Sequence, residues 1–296
     1  MILFSSRWPL YLCALLHAGQ VFACASCGSG GDDPLILYPN EVDKAYVGVA
    51  RTTAFKNVDA DGRYSTAGGP TTKDTLSLAY GHSFTPRAFM TGTLPLLRNS
   101  RQGASKSSLG DPSLAARYTA IVSSIADPWT PQLQLLVGYK QSLTHSIHDS
   151  ADLRTGLDIF GSGFSEAKVG VDLWFAQNVV LAGGAISLVK PMARSFDGVR
   201  YEPGFASRAT ATAGYLYSAE WRTTFGVNRE ERAALKSDGA AQPDSAQLNY
   251  SAFMTQDWML SPLADVRLSL SRRAAFGANQ NTARSDTVNL AYMRSY

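Results

Sequence analysis

The sequence predicts an all-β protein, a transmembrane antiparallel up-and-down β-barrel of about 12 strands. Three observations predict it. Stretches of roughly ten residues alternate between apolar and polar side chains, the charges in them fall on the parity opposite the aliphatic residues, and the connections alternate between long and short. Charged residues make up 17% of the chain, below the roughly 25% of a soluble domain. After the N-terminus, the sequence has no apolar run of about 20 residues that could cross a membrane as a helix.

The first 23 residues predict an export signal, with Arg7 before the apolar stretch Trp8 to Leu16 and a small-residue cleavage context ending at Ala23. The alternative is a retained N-terminal anchor, although the apolar stretch is short for a spanning helix. With cleavage after Ala23, residues 24–42 are expected to form a periplasmic N-terminal segment. Residues 43–296 are then expected to form an outer-membrane barrel, with a bacterial outer-membrane localisation.

The alternating stretches predict twelve strands in chain order. They are Ala45 to Phe55, Thr75 to Phe84, Ala88 to Leu97, Asp111 to Val122, Gln132 to Lys140, Ala167 to Phe175, Val179 to Lys190, Arg208 to Tyr217, Trp221 to Asn228, Gln247 to Trp258, Asp265 to Arg273 and Ser285 to Tyr296. The stretch from Val179 to Lys190 is apolar or small on both parities, so its two faces cannot be told apart.

The connections predict the orientation of the barrel. The long ones are Asn57 to Thr72, Arg98 to Gly110, Ser142 to Phe164, Pro191 to Gly204, Arg229 to Ala246 and Ala275 to Arg284. Short turns lie between them, among them Thr85 to Arg87 and Ser218 to Glu220. Because outer-membrane barrels have short periplasmic turns and longer extracellular loops, both termini are expected in the periplasm.

The last strand, Ser285 to Tyr296, would leave an unpaired edge unless it closed the barrel. We therefore expect it to pair antiparallel with the strand Ala45 to Phe55. Val288, Leu290, Tyr292 and Tyr296 alternate as in the C-terminal signal of outer-membrane proteins. Arg294 interrupts that apolar parity, and we expect its long side chain to reach water at the periplasmic interface.

A secreted soluble β-sandwich or lipocalin-like barrel is the alternative fold. Its outward parity would carry charges, whereas here the strand charges lie opposite the aliphatic parity, which is the arrangement of a lipid-facing barrel. The side chains expected to face the lumen are Arg117, Lys140, Lys168, Asp172, Arg208, Arg222 and Arg267. Trp129, Tyr217, Trp221 and Trp258 lie near strand ends, as in interfacial aromatic girdles.

Three motifs carry a resemblance to a known family. They are the run from Gly110 to Tyr118 (GDPSLAARY), then Gly138-Tyr139-Lys140, then the run from Phe160 to Glu166 (FGSGFSE) before an alternating strand. The pattern resembles Gram-negative outer-membrane transporter-type barrels grouped as the MetA-pathway phenol-degradation family. Gln141-Ser142-Leu143 stands where that family usually has Pro-Thr-Gly. The resemblance implies a transporter or channel for small, in part hydrophobic, solutes.

Two groups of residues could bind a metal. Cys24 and Cys27 form a Cys-x-x-Cys motif at the expected mature N-terminus, which could hold a soft metal, act as a redox pair or form a disulfide, and Cys24 could instead be lipidated. His145 and His148 lie near Asp149 and Asp152 in a long loop, where a surface metal site competes with ordinary loop polarity. No cofactor is expected.

The sequence favours a channel or transporter for small solutes, in which inward arginines and lysines exceed inward acids and favour anionic or polar solutes. The alternative is a structural or binding barrel whose N-terminal segment plugs the lumen or docks a periplasmic metal or redox partner. An enzyme is not expected, because the sequence has no hydrolase elbow, phosphate loop or zinc-protease helix. The other expected partners are outer-membrane lipid and the barrel-insertion machinery. A net charge of +3, scattered along the chain, argues against nucleic acid.

Overall fold

The computed structural model describes residues 34–37, 41–123, 130–152, 155–177 and 179–296, with the backbone alone for 67–69. The regular structure of these residues consists of β-strands. None of the described residues forms a helix long and apolar enough to cross a membrane. The predicted export signal, Cys24, Cys27 and Trp129 lie outside the described residues.

Twelve strands form one closed antiparallel barrel, which confirms the predicted fold class. They are β1 (Asp43–Val58), β2 (Tyr64–Thr85), β3 (Ala88–Arg101), β5 (Ser113–Ile121), β6 (Gln132–Lys140), β7 (Glu166–Gln177), β8 (Val180–Pro191), β11 (Ala206–Leu216), β12 (Trp221–Arg232), β15 (Gln247–Ser261), β16 (Ala264–Arg273) and β17 (Thr282–Ser295). Each of these twelve strands pairs with the barrel strand before it and the barrel strand after it in the chain. Five further short strands lie in the long connections.

The barrel closes where the first and last strands meet, as the sequence predicts. β1 pairs antiparallel with β17 from Lys44↔Ser295 to Val58↔Thr282, and it pairs with β2 on its other side. The pairing places Val47 opposite Tyr292 and Val49 opposite Leu290, so the apolar parities of the two strands coincide. Since both edges are paired, no open edge is left at this seam.

The outer face of the barrel is apolar and the inner face is polar. The large exposed side chains include Val49, Val137, Ile186, Phe225 and Leu290. Their strand neighbours of opposite parity are small or polar, apart from Leu136, and several of them, including Ser187, Thr224 and Ala291, are buried. A water-soluble barrel of this composition would expose an apolar belt around its whole circumference, and only lipid covers such a surface without cost. The same alternation distinguishes the two faces of β8, which the sequence left ambiguous. Ile186 and Leu188 face outward, and Leu181 and Val189 face inward.

The strands continue well beyond the predicted ends on the long-loop side. Most of the predicted loop Asn57 to Thr72 is strand in the structure, because β1 ends at Val58 and β2 begins at Tyr64. The predicted loop Arg98 to Gly110 contains the end of β3 and the strand β4 (Ala104–Leu109). These predictions were wrong because both faces of the extensions are polar, so apolar alternation could not reveal the backbone pairing.

Two other long connections form a small extracellular sheet. It contains β9 (Arg194–Phe196), β10 (Val199–Glu202), β13 (Lys236–Ser237) and β14 (Ala240–Ala241), in the order β14-β13-β10-β9. Its two hairpins turn at Asp197-Gly198 and Asp238-Gly239, where both residues of each pair have positive φ. Asp-Gly suits this turn because Gly has no Cβ and Asp tolerates the left-handed region.

Aromatic side chains gather at the short-turn end of the barrel. Tyr217 lies 5.0 Å from both Tyr215 and Trp221, measured between ring centroids. Trp221 on β12 lies directly opposite Trp258 on the neighbouring strand β15. At the C-terminus, the guanidinium of Arg294 lies over the ring of Tyr296 at 5.4 Å. Rings with one apolar and one polar part suit the membrane interface, so this end forms an interfacial girdle.

Candidate conduction path

The inner faces of the strands enclose a lumen lined by polar side chains. The buried polar residues among them include Thr91, Asn99, Arg117, Thr119, Gln134, Asp172, Ser187, Thr210, Thr212, Thr224, Thr255, Asp257 and Arg267. Because successive strand residues point to opposite faces, this polarity follows from the same alternation that makes the outer face apolar. A polar interior of this kind can hold water and polar solutes.

Near the short-turn ends, the lumen charges are held in two ion-pair groups. Arg117 on β5 reaches across β6 to pair with Asp172 on β7, and both side chains are buried. Asp257 on β15 lies between Arg222 on β12 and Arg267 on β16, with Oδ2 3.0 Å from Nε of Arg222 and Oδ1 2.5 Å from Nε of Arg267. Strand register places both arginines directly opposite Asp257. One carboxylate therefore holds two guanidinium groups to the wall.

Further toward the long loops, the charges are spaced around Glu166. Its Oε2 lies 2.8 Å from Nζ of Lys140, and its Oε1 lies 3.4 Å from Nη2 of Arg232. Arg208 pairs with Glu230 at 3.5 Å. Lys168 lies on β7, in register with Gly138 of β6. This part of the lumen, nearer the long loops, carries more cationic than anionic side chains.

Sequence reasoning underestimated the acids in the lumen. Asp172 was predicted to face the lumen, but Asp257, Glu166 and Glu230, which pair with most of the predicted lumen cations, were missed. Glu166 fell just before a predicted strand and Glu230 fell in a predicted loop. Asp257 lay within a predicted strand whose parity was not assigned. The cationic excess remains, since Asp257 and Glu166 each hold two cations, but it is smaller than the sequence indicated.

An apolar segment of the N-terminal region lies inside the lumen. Leu35, Ile36 and Leu37 are 0%, 4% and 2% exposed. They belong to one apolar cluster with Tyr46, Ala79, Phe89, Trp174, Ala291 and Met293. Trp174 lies on β7, whereas Ala291 and Met293 lie on β17, which is six strands away around the ring in either direction. The cluster therefore extends from one wall to the opposite wall, and we call residues 34–37 the luminal segment.

Glycines in the wall make room for these bulky groups. A Cβ on Gly81 would lie 2.4 Å from Cδ1 of Leu37, so the leucine fits only because this position has no side chain. Likewise, a Cβ on Gly183 would lie 2.4 Å from the ring of Trp174. Aromatic rings that cover a strand glycine compensate for its missing side chain, so Trp174 offsets the cost of Gly183, and both glycines shape the lumen.

The luminal segment is anchored where the barrel closes. Oε1 of Glu41 accepts hydrogen bonds from Nζ of Lys44 at 2.8 Å and from Oγ of Ser295 at 2.5 Å. The backbone N–H of Tyr296 donates to the carbonyl of Asp43 at 2.9 Å. The chain entering the barrel is therefore fixed at the β1–β17 seam.

The loop between β6 and β7 folds over the opposite mouth. Nδ2 of Asn99 donates to the carbonyls of Leu157 (3.1 Å) and Ile159 (2.8 Å), and Nζ of Lys73 donates to the carbonyl of Phe160 (2.9 Å). Asn99 and Lys73 are on β3 and β2, so the loop crosses part of the extracellular opening. Neither residue was predicted to contact it, because Asn99 was assigned to a loop and Lys73 lay between two predicted elements.

An aromatic cluster joins this loop to the extracellular sheet. The imidazole of His148 lies 4.2 Å from the ring of Tyr201, 5.3 Å from Phe196 and 5.8 Å from Phe164, measured between centroids. Arg194 lies over Phe196 at 4.8 Å and donates to the carbonyl of Gly163 at 3.0 Å. Burial lowers the pKa of His148, and the nearby carboxylate of Asp149 opposes that shift only in part.

Acidification is expected to loosen this loop. Because the pKa of His148 is lower in the folded loop than its ordinary value of 6.5, its stabilising contribution is complete above pH 6.5 and is lost as the pH falls through the folded pKa. Hydrogen exchange of residues 142–152 is therefore expected to accelerate as the pH falls below about 6.5. A His148→Phe variant should lack this step, whereas a His145→Phe variant should keep it. Equal acceleration in wild type and His148→Phe would contradict the assignment.

The described residues contain no group of three or more His, Cys, Asp or Glu side chains arranged to hold a metal ion. His145 contacts Asp149 at 3.5 Å, while His148 turns away into the aromatic cluster. The two histidines therefore do not converge. The metal, disulfide and lipidation hypotheses for Cys24 and Cys27 remain predictions.

A closed barrel with an apolar exterior, a polar interior, short turns at one end and long loops at the other defines an integral β-barrel protein of the bacterial outer membrane. The chain is similar to the COG4313 outer membrane channel from Pseudomonas putida F1, with a TM-score of 0.73 and 15% identity over 90% of this chain and 98% of that chain. The sequence resemblance to an outer-membrane transporter-type barrel is thereby confirmed at the level of the fold.

Other solved structures are less similar. The translocator domain of autotransporter NalP from Neisseria meningitidis has a TM-score of 0.47 and 11% identity, covering 98% of this chain and 96% of that chain. The TodX deltaS2S3 mutant monoaromatic hydrocarbon channel has a TM-score of 0.42 and 10% identity, covering 92% and 96%. No protein-family model matches the sequence, and no curated protein sequence matches it.

Proposed function

We propose that this protein is an outer-membrane channel for small solutes, and that its N-terminal segment closes it in the state described here. The observation that carries the proposal is a polar, charged lumen crossed from β7 to β17 by the apolar residues Leu35, Ile36 and Leu37. A barrel without a conducting role would gain more stability from a continuous packed interior than from buried, paired charges. The two hypotheses drawn from the sequence, a channel and a plugged barrel, then correspond to the open and closed states of the same barrel.

The luminal segment is suited to leave the lumen. The contacts of its leucine and isoleucine side chains are apolar and non-directional, and the anchoring hydrogen bonds lie outside it, at Glu41. Burying three aliphatic side chains contributes about 5–9 kcal/mol before the entropy of ordering the segment is subtracted. The net free energy that holds the segment in the lumen is therefore small enough for a periplasmic partner or a solute to shift the equilibrium between the closed and open states.

The solutes favoured by the lumen are small and polar or anionic. Arginines and lysines outnumber acids among the paired charges described above, and Lys140, Lys168 and Arg232 surround the single acid Glu166. Side-chain charges of one sign lining a narrow pore select ions of the opposite sign. We infer no catalytic role, because the lumen charges are engaged in ion pairs along the wall.

Reconstitution into planar bilayers tests the channel proposal. The protein is expected to show conductance steps that favour chloride over potassium, and liposomes containing it should swell in isosmotic solutions of small polar solutes. The proposal fails if neither the full chain nor a variant lacking the apolar side chains of the luminal segment conducts ions or passes solute.

The C-terminal strand is also proposed to contact the barrel-insertion machinery. Val288, Leu290, Tyr292 and Tyr296 present exposed apolar side chains on one face, ending with Tyr296 at 65% exposure. Substituting Tyr296→Ser is expected to lower the yield of folded barrel in outer membranes several-fold, measured by heat-modifiable gel migration. Tyr217→Ser, which removes an equally exposed aromatic at the same end of the barrel, serves as the control. Equal yields for the two variants would argue against this role for Tyr296.

A further inference from the structure

The lipid-facing wall over β1 to β4 changes from apolar to charged between two neighbouring rows. The lower row is Val49, Leu76, Leu96 and Leu109, each directly paired with the next across the strands. Two positions nearer the long loops, the upper row is Arg51, Asp74, Arg98 and Ser107, paired in the same way. Because strand residues two apart share a face, both rows point outward. The boundary between them marks where hydrocarbon ends and lipid headgroups begin on the extracellular side.

An open surface groove crosses this boundary. Val49, Leu76 and Leu96 form its lower part, and Asp74, Arg98 and Ser107 form its upper part. The strand β4 exists only on this side of the barrel, where it extends the wall beside β3. A straight apolar lower part beneath a polar upper part fits an acyl chain joined to a polar headgroup.

The arginines of the upper row are oriented for an anion. Arg51 donates from Nε and Nη2 to the two carboxylate oxygens of Asp74, at 2.7 and 3.1 Å. Its Nη1 has no partner among the side chains that the structure describes, and the Arg51 side chain is 68% exposed. On the other side of Asp74, Arg98 donates from Nη2 to Oγ of Ser105 at 3.1 Å. Asp74 thus holds one guanidinium in place next to a second one, with serine hydroxyls beside them.

Guanidinium groups with serine hydroxyls bind phosphate well, because several N–H and O–H donors can converge on its oxygens. On the extracellular side of an outer membrane, the anionic lipid of the surrounding leaflet is a phosphorylated glycolipid whose acyl chains enter the apolar layer. Its sugar hydroxyls also match the serines of β4. The chemistry and position of both rows therefore agree with one ligand.

We propose that the groove over β1 to β4 is a binding site for a phosphorylated glycolipid of the outer leaflet. Its phosphate lies against Arg98 and Ser107, with Arg51 neutralising the neighbouring carboxylate of Asp74, and an acyl chain lies along Val49, Leu76 and Leu96. The site is on the outside of the barrel, so it is independent of whether the lumen conducts.

Binding of bisphosphorylated lipid A to the full-length, delipidated protein in detergent tests the proposal, measured by native mass spectrometry. The double variant Arg51→Met/Arg98→Met is expected to bind about tenfold more weakly than wild type, since the charge-assisted contact of Arg98 to phosphate is lost and the carboxylate of Asp74 is no longer neutralised by Arg51. The matched control is Arg200→Met/Arg229→Met, which removes the same charge from exposed extracellular positions outside the groove. It should bind as wild type does.

A second variant covers the case in which the double variant does not fold. Ser107→Glu places a carboxylate in the upper row on the exposed strand β4 and should weaken binding without altering the barrel strands. Dephosphorylated lipid A, phosphatidylglycerol and inorganic phosphate are the comparison ligands, and each should bind more weakly than bisphosphorylated lipid A. The proposal is overturned if any of them binds equally well to wild type, or if the groove variants and the control bind alike.

Discussion

Replacing Leu35, Ile36 and Leu37 together by serine is expected to raise the single-channel conductance by about tenfold, because ions would then pass a lumen that an apolar segment no longer blocks. These side chains form the part of the apolar cluster that lies between β7 and β17. Serine removes the apolar contacts while keeping the chain length and the Glu41 anchor. Planar-bilayer recordings of single insertions measure the effect.

Val42→Ser is the matched control for this variant. Val42 belongs to the same stretch of chain but is 53% exposed, so its replacement should leave the conductance unchanged. Gly81→Val tests the role of the luminal segment by a substitution in the barrel wall. Any Cβ at this position collides with Leu37 and should displace the segment. If the triple serine variant conducts no better than Val42→Ser, the luminal segment does not limit passage.

Replacing Asp257 by asparagine is expected to lower the free energy of unfolding by roughly 3–5 kcal/mol, because it removes the buried carboxylate that Arg222 and Arg267 share. Asp257 is 3% exposed and holds both Arg222 and Arg267. The temperature at which the folded barrel converts to the unfolded gel band should fall accordingly. The loss of a lumen carboxylate should also increase the preference for anions.

Asp286→Asn provides the comparison. Asp286 forms an equally direct pair with Arg272, but both side chains are nearly half exposed, so the expected loss is below about 1 kcal/mol. Adding Arg267→Met to Asp257→Asn should recover part of the stability by removing one of the two cations that Asp257 neutralised. An Asp257→Asn barrel as stable as the Asp286→Asn barrel would contradict the central role given to this carboxylate.

The sequence contains most of the information that determines the barrel. Alternation in stretches such as Thr75 to Phe84 and Ala167 to Phe175 identifies the membrane-spanning part of each strand, because lipid imposes a strict two-residue period there. The same rule does not apply beyond the membrane. Both faces of β2 near Tyr64 and of β12 near Arg232 contact polar surroundings, so their pairing left no apolar pattern to read. The Asp197-Gly198 and Asp238-Gly239 turns were readable signals of the extracellular hairpins.

The lumen was harder to predict than the wall. Parity alone places Arg117, Asp172 and Arg267 inside, but it cannot show which charges meet, because that depends on the register between strands. A plugging N-terminal segment was predicted only as an alternative, and Leu35 to Leu37 were not singled out, since a short apolar run after a Gly- and Asp-rich stretch has no period. Only closure of the barrel creates the enclosed surface that these residues cover.

The bond between Glu41 and Ser295 has a consequence for the order of folding. The two residues are 254 positions apart, near the two ends of the described chain, and they meet only where β1 has paired with β17. A contact of such long range forms late, since the intervening strands must first assemble. The anchor of the luminal segment is therefore completed only when β1 and β17 have met, so the hydrogen bond between Glu41 and Ser295 reports closure of the barrel.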